Sequence, residues 1–262
     1  METPAERLNS CLAEETPRLD HVLATIATVD DERSAAEIET AVVAELDRLA
    51  DSCPSAPDAM AVLNHVYGTA GFSGDVADYY DPANSLIDRV VERRRGIPLT
   101  LAAIAAEIGR RLGVDLRPIG MPGHVLLGEG PDPTHWFDPF SRGAQLGYDD
   151  CRLLFARFHA IEAFNQSMLR PMTAEAVAIR TLNNLRIAYV KRGQAAKTIP
   201  VLELRAAMTS AELADRLELA NLLMTLGRME RAAEEYETLA AQDPERRDAY
   251  MNRATACRAH NN

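Results

Sequence analysis

Apolar positions recur every three to four residues along most of the chain, the spacing of helices that bury one face. The pattern predicts helices over 18–29 and 35–50, the second with Ile38, Val42, Leu46 and Leu49 on one stripe. Two prolines in "DSCPSAPD" break it. A third helix is predicted over 59–72, with Val62, Leu63, Val66 and Tyr67 inside. After a loop, "SGDVADYYDPANS", Ser85 is expected to cap the short helix "LIDRVVERR", and Gly96 to close it. Pro98 suits the first turn of the next helix, where a missing N–H costs nothing. From there Leu101, Ile104, Ala105, Ile108 and Leu112 form a stripe apolar enough for a central helix, ended by Gly113.

Beyond Gly113 the period changes. "VDLRPIGM" and "HVLLG" read as strands, "EGPDPT" as a turn, and "HWFDPF" as the returning strand. "DDCRLLFARF" resumes the helical pattern. From about Thr173 the chain is helical and repeats itself, with Gly193 and Gly227 34 residues apart, the tetratricopeptide period. Leu219, Ala220, Leu223, Gly227, Ala232, Tyr236 and Pro244 fill the second unit's signature spacings. Leu182, Leu185, Tyr189 and Gly193 fit the first, which carries Thr198 where alanine is usual. These patterns divide the chain into an α+β domain, 1–172, and a helical stack, 173–262.

Composition narrows the function. Of the net charge of −11, all lies in the N-terminal third: residues 1–83 hold 17 acids and four arginines. An acidic balance argues against nucleic acid as partner, and the Arg93-Arg94-Arg95 run is too short to reverse it. No apolar run suggests a membrane span or a signal peptide. Four scattered cysteines without a CxxC pair suit a reducing compartment, so a cytoplasmic protein is expected. No cofactor or metal is expected: His135 and Asp138 would point to opposite faces of one strand.

If "HVLLGEGPDPTHWFD" is a hairpin folded about Pro131, His124 and Asp138 face each other across it. A carboxylate there could orient the imidazole, as in nucleophile–His–Asp sites. The blocks "RRRGIPLTLAAIAAEIGRRLG", "PGHVLL" and "WFDPF" together resemble the bacterial SirB family, over about residues 20–245. That resemblance implies a transglutaminase-like (papain-like) domain, with a central helix and small antiparallel sheet, followed by tetratricopeptide repeats. It also implies a Gly-x-Cys at the central helix start, with a His and an Asp on adjacent strands. Carried onto this chain, the Gly is Gly96, the His is His124 and the Asp is Asp138, but the cysteine position holds Pro98.

Two readings stay open. In one, a pocket lined by Arg94, Asn84, His124, Trp136 and Asp138 binds a peptide or acidic group without catalysis, and the repeats add a second protein-binding surface. In the other, Thr100 or a displaced cysteine serves His124 and Asp138 in an amide hydrolase or acyl-transferase. The oligomeric state is left open. Cys151 follows acidic residues, which disfavours a reactive thiolate.

Overall fold

The helix after Gly96 is the centre of the molecule because it has no polar face to spare. Every residue from Pro98 to Gly109 is buried. Its four alanines, Ala102, Ala103, Ala105 and Ala106, let neighbours approach closely. The computed structural model describes residues 2–54, 57–159 and 163–259. The helices are α1 (Pro4–Leu12), α2 (Leu19–Ala27), α3 (Ala35–Asp51), α4 (Ala59–Leu63), α5 (Ile87–Arg93) and the central α6 (Pro98–Arg111). After the sheet come α7 (Tyr148–Ala156), α8 (Ala174–Lys191), α9 (Thr198–Ala207), α10 (Leu213–Thr225), α11 (Met229–Gln242) and α12 (Arg247–Ala259). Strands β1 (Ser73–Gly74) and β2 (Arg95–Gly96) form a two-residue parallel pair. Strands β3 (Leu116–Ile119), β4 (Leu126–Glu129), β5 (Trp136–Asp138) and β6 (Ala144–Leu146) form an antiparallel sheet in that order. The architecture is mostly helical with two small sheets. Among the described residues no helix is long and apolar enough to cross a membrane.

Strand alternation explains how the larger sheet is used. Leu127 and Phe137, register partners on β4 and β5, turn into the core around α6. Leu126 and Trp136 turn the other way, into a separate core with Cys151, Phe155 and Leu169. The main core does not stop at the sheet. It takes in Val177, Leu182, Leu185 and Tyr189 of α8, and Val201 and Leu204 of α9. The opposite side of α9, through Ile199, Leu202 and Ala206, joins a third core with α10, α11 and α12. Gly193 and Gly227 take positive φ, 69° and 73°, two residues beyond the ends of α8 and α10. The 34-residue spacing thus marks equivalent helix-ending turns.

The structure departs from the sequence reading at several points. An unexpected helix, α1, precedes the first predicted one; its Thr3 and Glu6 form a capping box. The helix expected over 59–72 is α4 continued as a π turn, Asn64–Thr69. Ser85 ends the 3-10 turn Pro82–Asn84 instead of capping α5. The left-handed residue closing α5 is Arg94, φ 58°, not Gly96. Gly96 is needed for a different reason: a Cβ there would lie 2.9 Å from the Val90 side chain. Strand β6 was also not foreseen.

A buried charge network fixes α2 against α6. Asp20 is fully buried and accepts hydrogen bonds from Arg18 (2.8 Å) and from Arg111 (2.7 Å). Arg111 also reaches Glu107 and Asp47. Burial pushes the Asp20 carboxyl up, but the two arginines outweigh it and hold it below the ordinary carboxylate value. Asp20→Ala should cost about 3 kcal/mol, because it leaves Arg18 without its carboxylate and takes one of two buried carboxylate partners from Arg111. A depressed folded pKa stabilises above the unfolded value of about 4 and is lost as pH falls through the folded one. Urea unfolding of the variant should therefore show a smaller loss of stability on acidification below about pH 4 than wild type. Equal acid sensitivity of the two proteins would contradict this account.

Candidate functional site

His124 sits just before β4, in the turn Met121-Pro122-Gly123-His124, closed by the His124 N–H on the Met121 carbonyl (3.1 Å). Gly123 permits that turn twice over. Its φ is 79°, and a Cβ there would meet the Phe158 side chain at 2.8 to 2.9 Å. Phe158 instead lies nearly parallel to the His124 ring, 13° between planes and 6.3 Å between centroids.

Asp138 ends β5, and the proline after it turns the chain. Its Oδ1 accepts from His124 Nε2 (2.9 Å) and from the Phe140 backbone N–H (2.9 Å); its Oδ2 accepts from the Ser141 hydroxyl (2.7 Å). Burial raises this carboxyl, but the His124 hydrogen bond and the other donors outweigh it, so it lies below its ordinary value. An ionised carboxylate only accepts, so His124 Nε2 carries its proton toward Asp138. The other ring nitrogen, Nδ1, has no hydrogen bond among the described residues. In the neutral imidazole it is therefore a free lone pair. The sequence reading missed Phe140 and Ser141, although Asp-Pro-x-Ser is a recognisable turn signal.

The pair arises in a different register from the one expected. Leu127 opposes Phe137 and Gly128 opposes Trp136, so the hairpin folds about Asp132, not Pro131. The shift leaves His124 outside the strand, and it reaches Asp138 diagonally from the turn.

Two contacts tie this pair to the start of α6. The buried Tyr67 hydroxyl donates to the Leu101 carbonyl (3.2 Å), and burial together with the nearby Asp138 charge pushes it well above a phenol's ordinary value. The Phe140 ring covers Gly74, where any Cβ would clash at 2.3 Å. Gly74 is in turn the register partner of Gly96, two residues before Pro98.

The remaining candidates disperse. Pro98 is the first residue of α6 and is buried. Thr100 is 1% exposed, and its hydroxyl donates to the Asn84 carbonyl (3.0 Å). Asn84 is fully buried and structural: its side-chain amide donates to the Asp78 carbonyl (2.8 Å), and its own carbonyl also receives the Ile97 N–H. Arg94 does not join the His124 pocket. It pairs with Glu45, lies 4.6 Å over the Phe72 ring, and lines a separate cleft between α3 and α5. The charge of Glu45 and the left-handed turn at Arg94 account for this. Trp136 is buried in the sheet's outer core, its rim facing a cleft beside Gln166 and Arg170. Cys151 is fully buried, and burial plus Asp150 and Asp138 push its thiol up to about 12. His135 is exposed, and its ring meets the Thr134 hydroxyl (3.0 Å).

One group near His124 was not foreseen. Arg180 of α8 donates to the Met121 carbonyl (3.3 and 3.4 Å) and to the His124 carbonyl (3.1 Å). It clamps the turn that carries the imidazole. Nothing in the helical pattern of 174–191 separates it from a solvated face.

A family model described as the transglutaminase-like superfamily matches residues 32–183. A UPF0162 protein of Pseudomonas aeruginosa is 30% identical over 199 residues, 73% of this chain and 72% of that protein. A UPF0162 protein of Xylella fastidiosa is 34% identical over 139 residues, 51% of this chain and 50% of that protein. The match thus spans about half the length of the Xylella relative. Human F-box only protein 21 is 32% identical over 105 residues, 36% of this chain but 17% of that protein.

Proposed function

The chain belongs to the transglutaminase-like superfamily, and on that premise we propose that it is a non-catalytic, peptide-binding member. One observation carries the reading. The position that the family resemblance assigns to the nucleophile is Pro98, which has neither thiol nor N–H. Nearby substitutes are committed elsewhere: the Thr100 hydroxyl is spent on the Asn84 carbonyl, and the Cys151 thiol is pushed up to about 12. Burial also raises Cys11 and Cys53. What survives is an oriented imidazole beside a buried carboxylate, a recognition surface without an attacking atom.

The helices from α8 onward supply the second binding surface in this reading, as tetratricopeptide-type pairs of the SirB arrangement. The matched turns at Gly193 and Gly227, and the buried Ala232 and Tyr236, support it. Four free cysteines support a place in the cytoplasm.

The intact His124–Asp138 contact favours the competing reading, an amide hydrolase or acyl-transferase, since it keeps the base of such a site. The two separate in one experiment. The full chain is incubated with a glutamine-containing peptide and a fluorescent primary amine, and product and protein adducts are read by mass spectrometry. The expected result is no product above that of the His124→Ala variant and no acylated residue. Turnover that depends on His124, or an acyl group on Thr100 or Cys151, would establish the enzyme instead.

A further inference from the structure

Arg180 is an exception among this chain's arginines. Each other arginine that is at least partly buried lies within 4.0 Å of a carboxylate, among the described residues. Arg180 is partly buried, yet it has no carboxylate partner among them. Its hydrogen bonds go only to the carbonyls of Met121 and His124. A guanidinium has five N–H groups. Three are used in those contacts, at long distances, and Nε–H and one Nη1–H have no acceptor among the described residues. Withdrawing a cation from water without an anion is costly, and burial does push this guanidinium below its ordinary value. In a chain of net charge −11, a carboxylate to neutralise it was abundantly available.

The surroundings specify which kind of anion suits this cation. Phe158, stacked on His124, is exposed, and so is Tyr79, whose hydroxyl interacts electrostatically with Arg180. Tyr79 meets Phe140 edge-on at 5.9 Å, and Phe140 is held by Asp138. The cation and the imidazole are therefore flanked by exposed aromatic surface, which favours an organic anion over a small hydrated one.

We propose that Arg180 is the anion-binding residue of this site, and that its ligand is a carboxylate carried by a peptide with an apolar or aromatic residue beside it. The assignment rests on the binding reading above and names the ligand chemistry. Charge-assisted pairing of the carboxylate with the spare Nε–H supplies the preference; the spare Nη1–H points to the other side of the guanidinium.

The test follows the His124 ring resonances by NMR during titration of the full chain. The probes are acetyl-Gly-Gly-Phe, its C-terminal amide, acetyl-Gly-Glu-Phe amide and inorganic phosphate. One or both carboxylate peptides should bind about tenfold more tightly than the uncharged amide, and which one does identifies a C-terminal or a side-chain carboxylate. Arg180→Gln should abolish the preference for the carboxylate peptide over the amide, whereas Arg180→Lys should keep part of the preference. A merely structural arginine would weaken acid and amide alike. Equal binding of both carboxylate peptides and the uncharged amide, a response to phosphate equal to that of the better carboxylate peptide, no saturable binding of either carboxylate peptide, or an Arg180→Gln preference equal to wild type would each overturn the assignment. Cleavage of the probe amides, visible in the same spectra, would instead defeat the non-catalytic reading and leave the Arg180 assignment standing.

Discussion

A chain ending at residue 172 should not fold, whereas one ending near residue 210 should. The first cut removes Val177, Leu182, Leu185 and Tyr189, each at most 1% exposed, from the core that α2 and α6 share. Losing a single large apolar side chain from such a core costs about 2–5 kcal/mol. Losing four, and the helix that presents them, exceeds the roughly 5–15 kcal/mol that hold a typical domain together. The second cut keeps α8 and α9. It also keeps a clamp between the termini of this unit, where the Asn9 side chain donates to the Ala207 carbonyl (2.8 Å) and accepts from the Thr209 N–H (3.0 Å). It bares only the Ile199, Leu202 and Ala206 side of α9. We therefore propose a unit boundary near residue 209, in place of the division at 172/173 that the sequence patterns suggested. Urea unfolding followed by circular dichroism, with gel filtration, decides it. A monomeric 1–172 chain with a single cooperative transition would sink the prediction.

The boundary illustrates what the sequence could and could not convey. The 3.6-residue pattern identifies α8 as a helix, and its 34-residue echo groups it with α10. Neither says which neighbour covers its apolar face, because that depends on contacts distant in sequence. The same limit separates the two arginines. Arg94 is adjacent in sequence to the Gly-Ile-Pro turn and was expected in the pocket, but a left-handed turn and Glu45 take it to another cleft. Arg180 lies 56 positions beyond His124 in a helix that reads as ordinary, and it clamps the His124 turn. His124 and Asp138 were legible as a pair because a hairpin is local. Their register was not, since the turn residues Gly130 to Thr134 allow more than one fold-back point, and the side chains met despite the shift. The β1–β2 pair is two residues long and has no period to read; its trace is the requirement for glycine at 74 and 96.

Pro98→Cys should create the most acidic thiol in the molecule. The position is the first residue of α6, preceded by an extended Ile97 (φ −89°, ψ 164°), so the backbone already presents a helix N-terminus. Three influences act on a thiol there. Burial raises its pKa; the helix N-terminus lowers it, and so does the His124 imidazolium where the ring faces the start of α6, and in such settings the lowering wins, giving values of about 3.5–7.5. Replacing proline at this position gives up a preset φ and costs roughly 0.5–1 kcal/mol, too little to unfold the protein. The native background is favourable, because Cys11, Cys53 and Cys151 are all pushed upward and ionise only in alkali. Because residue 98 is buried, reaction with an alkylating agent would report access as well as ionisation, so ultraviolet thiolate absorbance is the better readout. The variant-minus-wild-type titration should show one thiolate appearing below about pH 7.5. Adding His124→Ala should move that step upward by removing the cation, while Asp138→Asn should move it in the same direction by releasing the ring that Asp138 orients. A thiol that titrates at or above the unperturbed value of about 8.5, and is indifferent to His124, would mean that the imidazole does not face the start of α6. The His124–Asp138 contact would then be a strut between the turn and the sheet, and Pro98 would no longer mark the place of a missing nucleophile.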